Sequence, residues 1–404
     1  MSPVLTREAL EKALYNDELV LYYQPKVCLL RGEIIGAEAL VRWSSTTRDV
    51  VAPNEFLPLA TRSGLLHDIT LKLLDQVVSA SRALRQNTAI ETKTQGNGLS
   101  LSINVAPNDL ASRSISNRIG ELLDAGTIAS TDLQIEVTES EAMSSVDRVH
   151  EDLLRLKSMG IKLLMDDFGT GYSSIDRLSQ LPFDALKLDK GVVKRMETSG
   201  QNLDVVRSAI SMARELGMTS VAEGVESAPV YNFLIAHGCE EAQGYFIGKP
   251  MSLSDFQSFV AANHDLRGSQ IGRVHQACLN LMRFRKILLD AAYCARTGNG
   301  MILEPVADWG FQAPVGESRL GLWYFGLGQA LHEHPVFREI EQPLRDVHVS
   351  GNEFLQQLAR GKPARQLDQS LLQIDQKVDN LIVLFHRLER DLLLSTQHVA
   401  TSEC

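Results

Sequence analysis

No apolar run in this 404-residue sequence approaches the roughly 20 residues needed to cross a bilayer, so membrane insertion is not expected. The opening stretch, MSPVLTREALEKAL, lacks a basic segment followed by an apolar core, so no secretory signal is expected there. Cysteine is sparse and scattered, at Cys28, Cys239, Cys278, Cys294 and Cys404, and the spacing suits a reducing, cytoplasmic setting better than a disulfide framework. Positive charge is also short: 40 Lys and Arg stand against 50 Asp and Glu, a net charge of −10. That balance disfavours polymeric nucleic acid as a partner, because duplex binding rests on a basic surface. A small anion stays compatible with it if metal ions neutralise the ligand. Several motif classes are missing too. A DFG triplet at 167–169 has neither an HRD loop nor a Gly-rich loop before it, and GTGYSS has Ser174 where a dinucleotide-binding turn has its third glycine. Zinc spacing and a Ser-His-Asp set are absent from the N-terminal part.

What is present, up to about residue 262, is an alternation of short β-like runs with amphipathic helical stretches. The strand candidates are LVLYYQPKV, IIGAEALVRW, LSLSINVA, LQIEVTE, IKLLMDD, ALKLDK, TSVAEGVE and EAQGYFIG. Helical patterns between them end at glycines, as in DRVHEDLLRLKSMG before Gly160 and LDVVRSAISMARELG before Gly217. Such alternation points to a parallel α/β sheet, either closed or doubly wound. Glu38, Asn104, Glu136, Asp166, Asp167, Lys187, Glu223 and Gln243 fall in or at the ends of separate strands. A closed barrel can collect one group from nearly every strand at its mouth, whereas an open sheet gathers ligands at one switch point. The barrel fits better. From residue 263 the pattern turns to helices only. Leu367, Leu371, Ile374, Val378, Leu381, Phe385, Leu388 and Leu392 alternate spacings of four and three, a seam that needs a partner helix from this chain or a second copy. Residues 263–404 are expected to form an all-α helical bundle, with a homodimer as its corollary.

Six of the strand-end groups are hard oxygen donors: Glu38, Asn104, Glu136, Asp166, Asp167 and Glu223. Such a set suits Mg²⁺ or Mn²⁺ rather than zinc. One strand-end acid is ordinarily a cap or a solvated turn residue. Several converging acids need cations, because burial and mutual repulsion cost several kcal/mol for each. Two divalent ions a few ångströms apart support in-line displacement at phosphorus. Adjacent strand residues face opposite ways, so the pair at 166 and 167 is expected where the strand ends, with Asp166 bridging two ions and Asp167 turned to the second. Lys187 could hydrogen-bond an attacking water or a phosphate oxygen, or pair with Asp184 or Asp189.

The ordered motifs AEALVRW (37–43), YYQP (22–25), SIN (102–104), EVTE (136–139), DDFGTGYSS (166–174), DALKLD (184–189), AEGVE (222–226) and QGYFIGKPM (243–251) resemble the EAL family of cyclic di-GMP phosphodiesterases. The resemblance covers about residues 5–260. It implies a modified (β/α)₈ barrel over 1–262 whose first strand runs antiparallel to the rest, and hydrolysis of cyclic di-GMP to linear pGpG in bacterial second-messenger signalling. By position it implies Glu38, Asn104, Glu136 and Asp166 as ligands of one metal and Asp166, Asp167 and Glu223 as ligands of a second. It places Lys187 on the nucleophilic water, and Gln24, Leu40, Arg42 and Gln243 on the nucleotide. Glu139 would secure the FGTGYSS loop and couple dimerisation to activity. Thr61, Ala106 and the stretch 91–98 depart from the family pattern without removing a ligand. The alternative is a non-catalytic cyclic di-GMP receptor that signals through the helical domain. RLGLWYFGLGQAL (319–331) and HPVFREIEQPLRDVH (334–348) resemble the chemoreceptor zinc-binding (CZB) domain, a four-helix bundle. His275 and His348 match two of its ligands, but Ser318 and Leu344 stand at the other two, so zinc is not expected there.

Overall fold

Eight runs rich in aliphatic and β-branched residues form β1 (Leu19–Cys28), β2 (Glu33–Trp43), β3 (Ser100–Asn104), β4 (Leu133–Thr138), β5 (Lys162–Phe168), β6 (Ala185–Leu188), β7 (Thr219–Ala222) and β8 (Glu241–Gln243). The structure is a computed structural model, and it describes residues 5–44, 50–94, 98–139, 147–169, 175–197, 200–262, 266, 268–297, 313–318 and 321–401. The strands close into a barrel in chain order, β1 through β8 and back to β1. Every neighbouring pair from β2 to β8 is parallel, while β1 is antiparallel to both β2 and β8. Among the described residues no helix is long and apolar enough to cross a membrane.

The reversal of β1 decides what enters the barrel. The carboxyl ends of β2–β8 form one rim, so β1 starts at that rim and runs downward. Its register pairs Gln24 with Glu38 and Lys26 with Gly36, which puts Lys26 two residues deeper than Gln24. Gly36 is required by close strand approach: a Cβ there would lie 2.0 Å from the Ser100 carbonyl oxygen. Leu164, Ala185 and Val221 form a buried apolar cluster from β5, β6 and β7. Buried polar side chains come from β1, β3 and β4, at Lys26, Ser102, Gln134 and Glu136.

The sequence led us to expect β5 to end at the paired aspartates, and here the structure differs. β5 continues through both to Phe168, which pairs with Leu188, and the register slips between Met165 and Phe168. Asp167 takes up the slip in the left-handed region, at φ 57°. One extra residue in the strand, in a conformation that Asp tolerates better than most, breaks the alternation without breaking the strand.

The chain divides into two compact units, Met1–Cys28, Glu33–Val230 and Glu241–Leu266 in one, and Leu29–Gly32, Tyr231–Glu240 and Arg267–Cys404 in the other. In the second, three long helices run over α1 (Gln270–Thr297), α2 (Pro335–Ala359) and α3 (Ala364–Thr401). Arg285 donates to Asp379 at 2.7 Å and His275 Nδ1 lies 2.9 Å from Glu389 Oε1, so α3 runs antiparallel to α1; Lys377 to Ser350 at 2.6 Å and Arg387 to Glu339 at 2.9 Å set it antiparallel to α2. The heptad seam is filled within the chain: Leu367, Ile374, Val378, Leu381, Phe385 and Leu388 are buried against Val274, Leu281, Phe284, Trp323, Phe337 and Ile340. Leu381 is fully buried whereas Leu372 on the same helix is 63% exposed. Leu381→Ala should therefore lower the unfolding free energy of this unit by about 2–5 kcal/mol, with Leu372→Ala nearly silent, in chemical denaturation followed by circular dichroism. Equal effects would contradict the assigned seam.

Candidate active site

Lys187 sits on β6 between apolar neighbours and is fully buried. Its Nζ lies 2.5 Å from Glu223 Oε1, 3.1 Å from Asp166 Oδ1 and 3.5 Å from Glu38 Oε2, and it donates to Glu136 Oε2. Four strands thus converge four carboxylates on one ammonium. The two aspartates offered as alternative partners bond elsewhere: Asp184 pairs with Lys157 and accepts from Leu163 N, and Asp189 caps the next helix by accepting from Gly191 N at 2.9 Å. Asn104 Nδ2 donates to Glu38 Oε1 at 2.9 Å, and Gln243 Nε2 donates to Glu38 Oε2 at 2.5 Å. Ligand oxygens of Glu38, Glu136 and Glu223 all lie within 4.8 Å of one another.

Burial at this density sets the electrostatics. Burial and the charge of Glu136 push the Glu38 carboxyl up. Burial pushes Glu223 well up too, with Asp166 and Glu38 adding repulsion against the pull of Lys187. Burial also opposes the charge of Glu136, but Lys187 and Lys26 beside it hold that carboxyl at about 2. Lys187 is burdened by burial yet kept protonated, well above the usual lysine range, by the carboxylates around it. Asp167 is raised by burial and by Asp166 and Asp189. Five acids facing two lysines leave the cluster short of positive charge, and the donors are hard oxygens. The residues fit Mg²⁺ or Mn²⁺.

The remaining predicted residues are more dispersed. Glu139, buried at the end of β4, accepts from Gly169 N at 3.1 Å, directly after the paired aspartates. The rest of the expected loop, 170–174, lies outside the described residues. Gln24 Nε2 donates to the Gly248 carbonyl oxygen at 3.3 Å. Arg42 donates to the Val41 carbonyl oxygen at 2.8 Å, and its guanidinium carbon lies 5.7 Å from the Tyr22 ring centre. Leu40 is partly buried on β2. In the second unit, His275 Nδ1 is 2.9 Å from Glu389 Oε1, and His348 Nε2 is 3.1 Å from the Ala313 carbonyl oxygen, so the two histidines bond different partners. Ser318 Oγ donates to the Val315 carbonyl oxygen, and Leu344 is buried in the helical core. Sequence reasoning missed Lys26, which shares inward parity with Gln24 in an otherwise apolar strand. That parity was the available signal.

The model of the EAL domain family matches residues 7–250, more than half of the chain. The cyclic di-GMP phosphodiesterase RocR of Pseudomonas aeruginosa is 36% identical over 252 residues, 62% of this chain and 62% of its own length. The cyclic di-GMP phosphodiesterase PdeR of Escherichia coli is 34% identical over 248 residues, 61% of this chain and 36% of its own. A solved structure of the PaMucR phosphodiesterase in complex with c-di-GMP is 32% identical, with a TM-score of 0.56, and is matched over 62% of this chain and 98% of its own. The chain thus spans less than two thirds of the length of the curated relatives RocR and PdeR. The family match stops at residue 250 and leaves the helical region beyond it unassigned.

The raised carboxyls of Glu38 and Glu223 give a signed pH dependence. A folded-state value above the unfolded one contributes stability that is present at low pH and lost as pH rises through the folded value. A divalent cation bound at these oxygens would compete with the protons there. The melting-temperature gain from saturating Mn²⁺ should therefore grow as pH rises above the ordinary carboxylate range, read by scanning calorimetry. A gain independent of pH would contradict cation binding at these carboxylates.

Proposed function

The chain belongs to the EAL domain family, and we propose on that premise that it is an enzyme hydrolysing one phosphodiester bond of cyclic di-GMP to yield linear pGpG. The observation that carries this reading is the convergence of Glu38, Glu136, Asp166 and Glu223 on buried Lys187, with Asn104 and Asp167 beside them. Glu38, Asn104, Glu136 and Asp166 would hold one divalent cation, and Asp166, Asp167 and Glu223 a second. Such ions, when bound, lower the pKa of water and neutralise developing charge on phosphate oxygens. The left-handed turn at Asp167 supports the division of labour, since it frees that carboxylate from the alternation that Asp166 obeys. A backbone outlier of this kind costs of order 1–3 kcal/mol and is retained where the site requires it.

Lys187 would orient the attacking water through Nζ and meet negative charge on the phosphate. The water oxygen bonds to phosphorus and gives up a proton as one ester P–O bond breaks, and the released ribose oxygen takes up a proton to leave as a hydroxyl. Gln24, Leu40, Arg42 and Gln243 would hold the nucleotide, with the Arg42 fork suited to phosphate oxygens. Glu139 would fix the segment after the paired aspartates through Gly169 N. We infer further that 1–262 is the catalytic barrel and that 263–404 is a regulatory bundle acting through a cytoplasmic homodimer.

Purified full-length protein incubated with cyclic di-GMP and Mg²⁺ or Mn²⁺ should produce pGpG, read by chromatography. Asp166→Asn and Lys187→Met should each lower turnover by more than about 100-fold. Saturable nucleotide binding with no pGpG under either metal would replace the hydrolase with the receptor reading.

A further inference from the structure

Lys26 takes no part in the roles assigned above, yet it is among the most completely buried charges in the chain, at 1% exposure. An isolated ammonium so deep would cost several kcal/mol, and it persists in proteins where good partners surround it. Its Nζ donates to Ser102 Oγ at 2.9 Å, Gln134 Oε1 at 3.0 Å and Glu136 Oε1 at 3.4 Å. Three acceptors use the three ammonium protons, so the group has a single orientation. Gln134 is itself fixed, because its Nε2 donates to Ser100 Oγ at 2.9 Å and leaves Oε1 for Lys26. The reversed β1 makes this possible, since its register carries Lys26 beneath the rim rather than onto it.

Glu136 is therefore held from two sides. Oε1 is met by Lys26 at 3.4 Å, and Oε2 accepts from Lys187, whose Nζ also meets Glu38, Asp166 and Glu223. We propose that Lys26 is a positioning residue that restricts Glu136 to one metal-facing oxygen and so tunes the barrel towards small divalent cations and against Ca²⁺. The inference rests on the reading of Glu136 as a metal ligand. Mg²⁺ demands near-octahedral geometry at short distances, which single-oxygen carboxylates satisfy. Ca²⁺ takes six to eight ligands and readily accepts both oxygens of a carboxylate. A Glu136 released from Lys26 could turn both oxygens upward, and the site would then suit the larger ion better.

The test is the ratio of Ca²⁺ to Mg²⁺ affinity, measured by titration calorimetry on the full chain. Lys26→Met keeps the length and removes the ammonium, and it should shift that ratio towards Ca²⁺ by about 10-fold, the lower end of what partners of metal ligands contribute. A ratio equal to that of the unsubstituted protein, in a variant whose circular dichroism shows it folded, would overturn the proposal, because a merely structural lysine would weaken all metals alike. If Lys26→Met fails to fold, Gln134→Leu keeps the lysine but removes one anchor. It should move the ratio in the same direction by a smaller factor, and an unmoved ratio would again overturn the proposal. The measurement separates this inference from the hydrolase reading. A shifted ratio in a protein that produces no pGpG sinks the activity and supports the role of Lys26, and an unshifted ratio in a protein that does produce it sinks the role alone.

Discussion

One buried ammonium among four carboxylates is the arrangement on which the rest of the barrel depends. Lys187 balances only part of the charge of Glu38, Glu136, Asp166 and Glu223. Burial first, and repulsion from the neighbouring carboxylates after it, raises the carboxyls of Glu38 and Glu223. A protein interior relieves such a shortfall by protonation, by further lysines or by metal ions. This barrel uses a second lysine beneath Glu136, and its hard-oxygen rim is suited to divalent ions for the remainder.

Backbone geometry delivers that cluster through three local departures from a regular parallel barrel. The reversed β1 sends Gln24 to the rim and Lys26 below it. Gly36 lets β2 approach β3 at a distance that any Cβ would forbid. The slip at Asp167 inserts one residue into β5 before pairing resumes at Phe168. Each departure lies within a few residues of a proposed ligand, and Leu164, Ala185 and Val221 form an apolar cluster two residues before Asp166, Lys187 and Glu223 in the chain.

Much of this was legible in the sequence because it rests on periodicity. Eight β-like runs, seven of them carrying a named polar group in or at the end of the run, foretold a closed barrel, and four of those groups, Glu38, Glu136, Asp166 and Glu223, now meet Lys187. The seam from Leu367 to Leu392 foretold a packed helix, and its partners proved to lie on α1, α2 and the segment around Trp323. Two features escaped for identifiable reasons. The continuation of β5 through Asp167 depends on one backbone angle, which alternation rules cannot supply. The role of Lys26 depends on Ser102 and Gln134, which lie 76 and 108 residues away and meet it only once the barrel closes. A resemblance read from motifs names the residues that a family shares, and so passes over a lysine that lies outside the motif roles.

The proposed function turns on the acids around Lys187 holding two divalent ions. Anomalous diffraction from crystals soaked in Mn²⁺ tests it most directly. Two peaks are expected at the rim, one among Glu38, Asn104, Glu136 and Asp166 and the other among Asp166, Asp167 and Glu223, sharing Asp166. Absence of both peaks at saturating Mn²⁺, or peaks away from these oxygens, would contradict it.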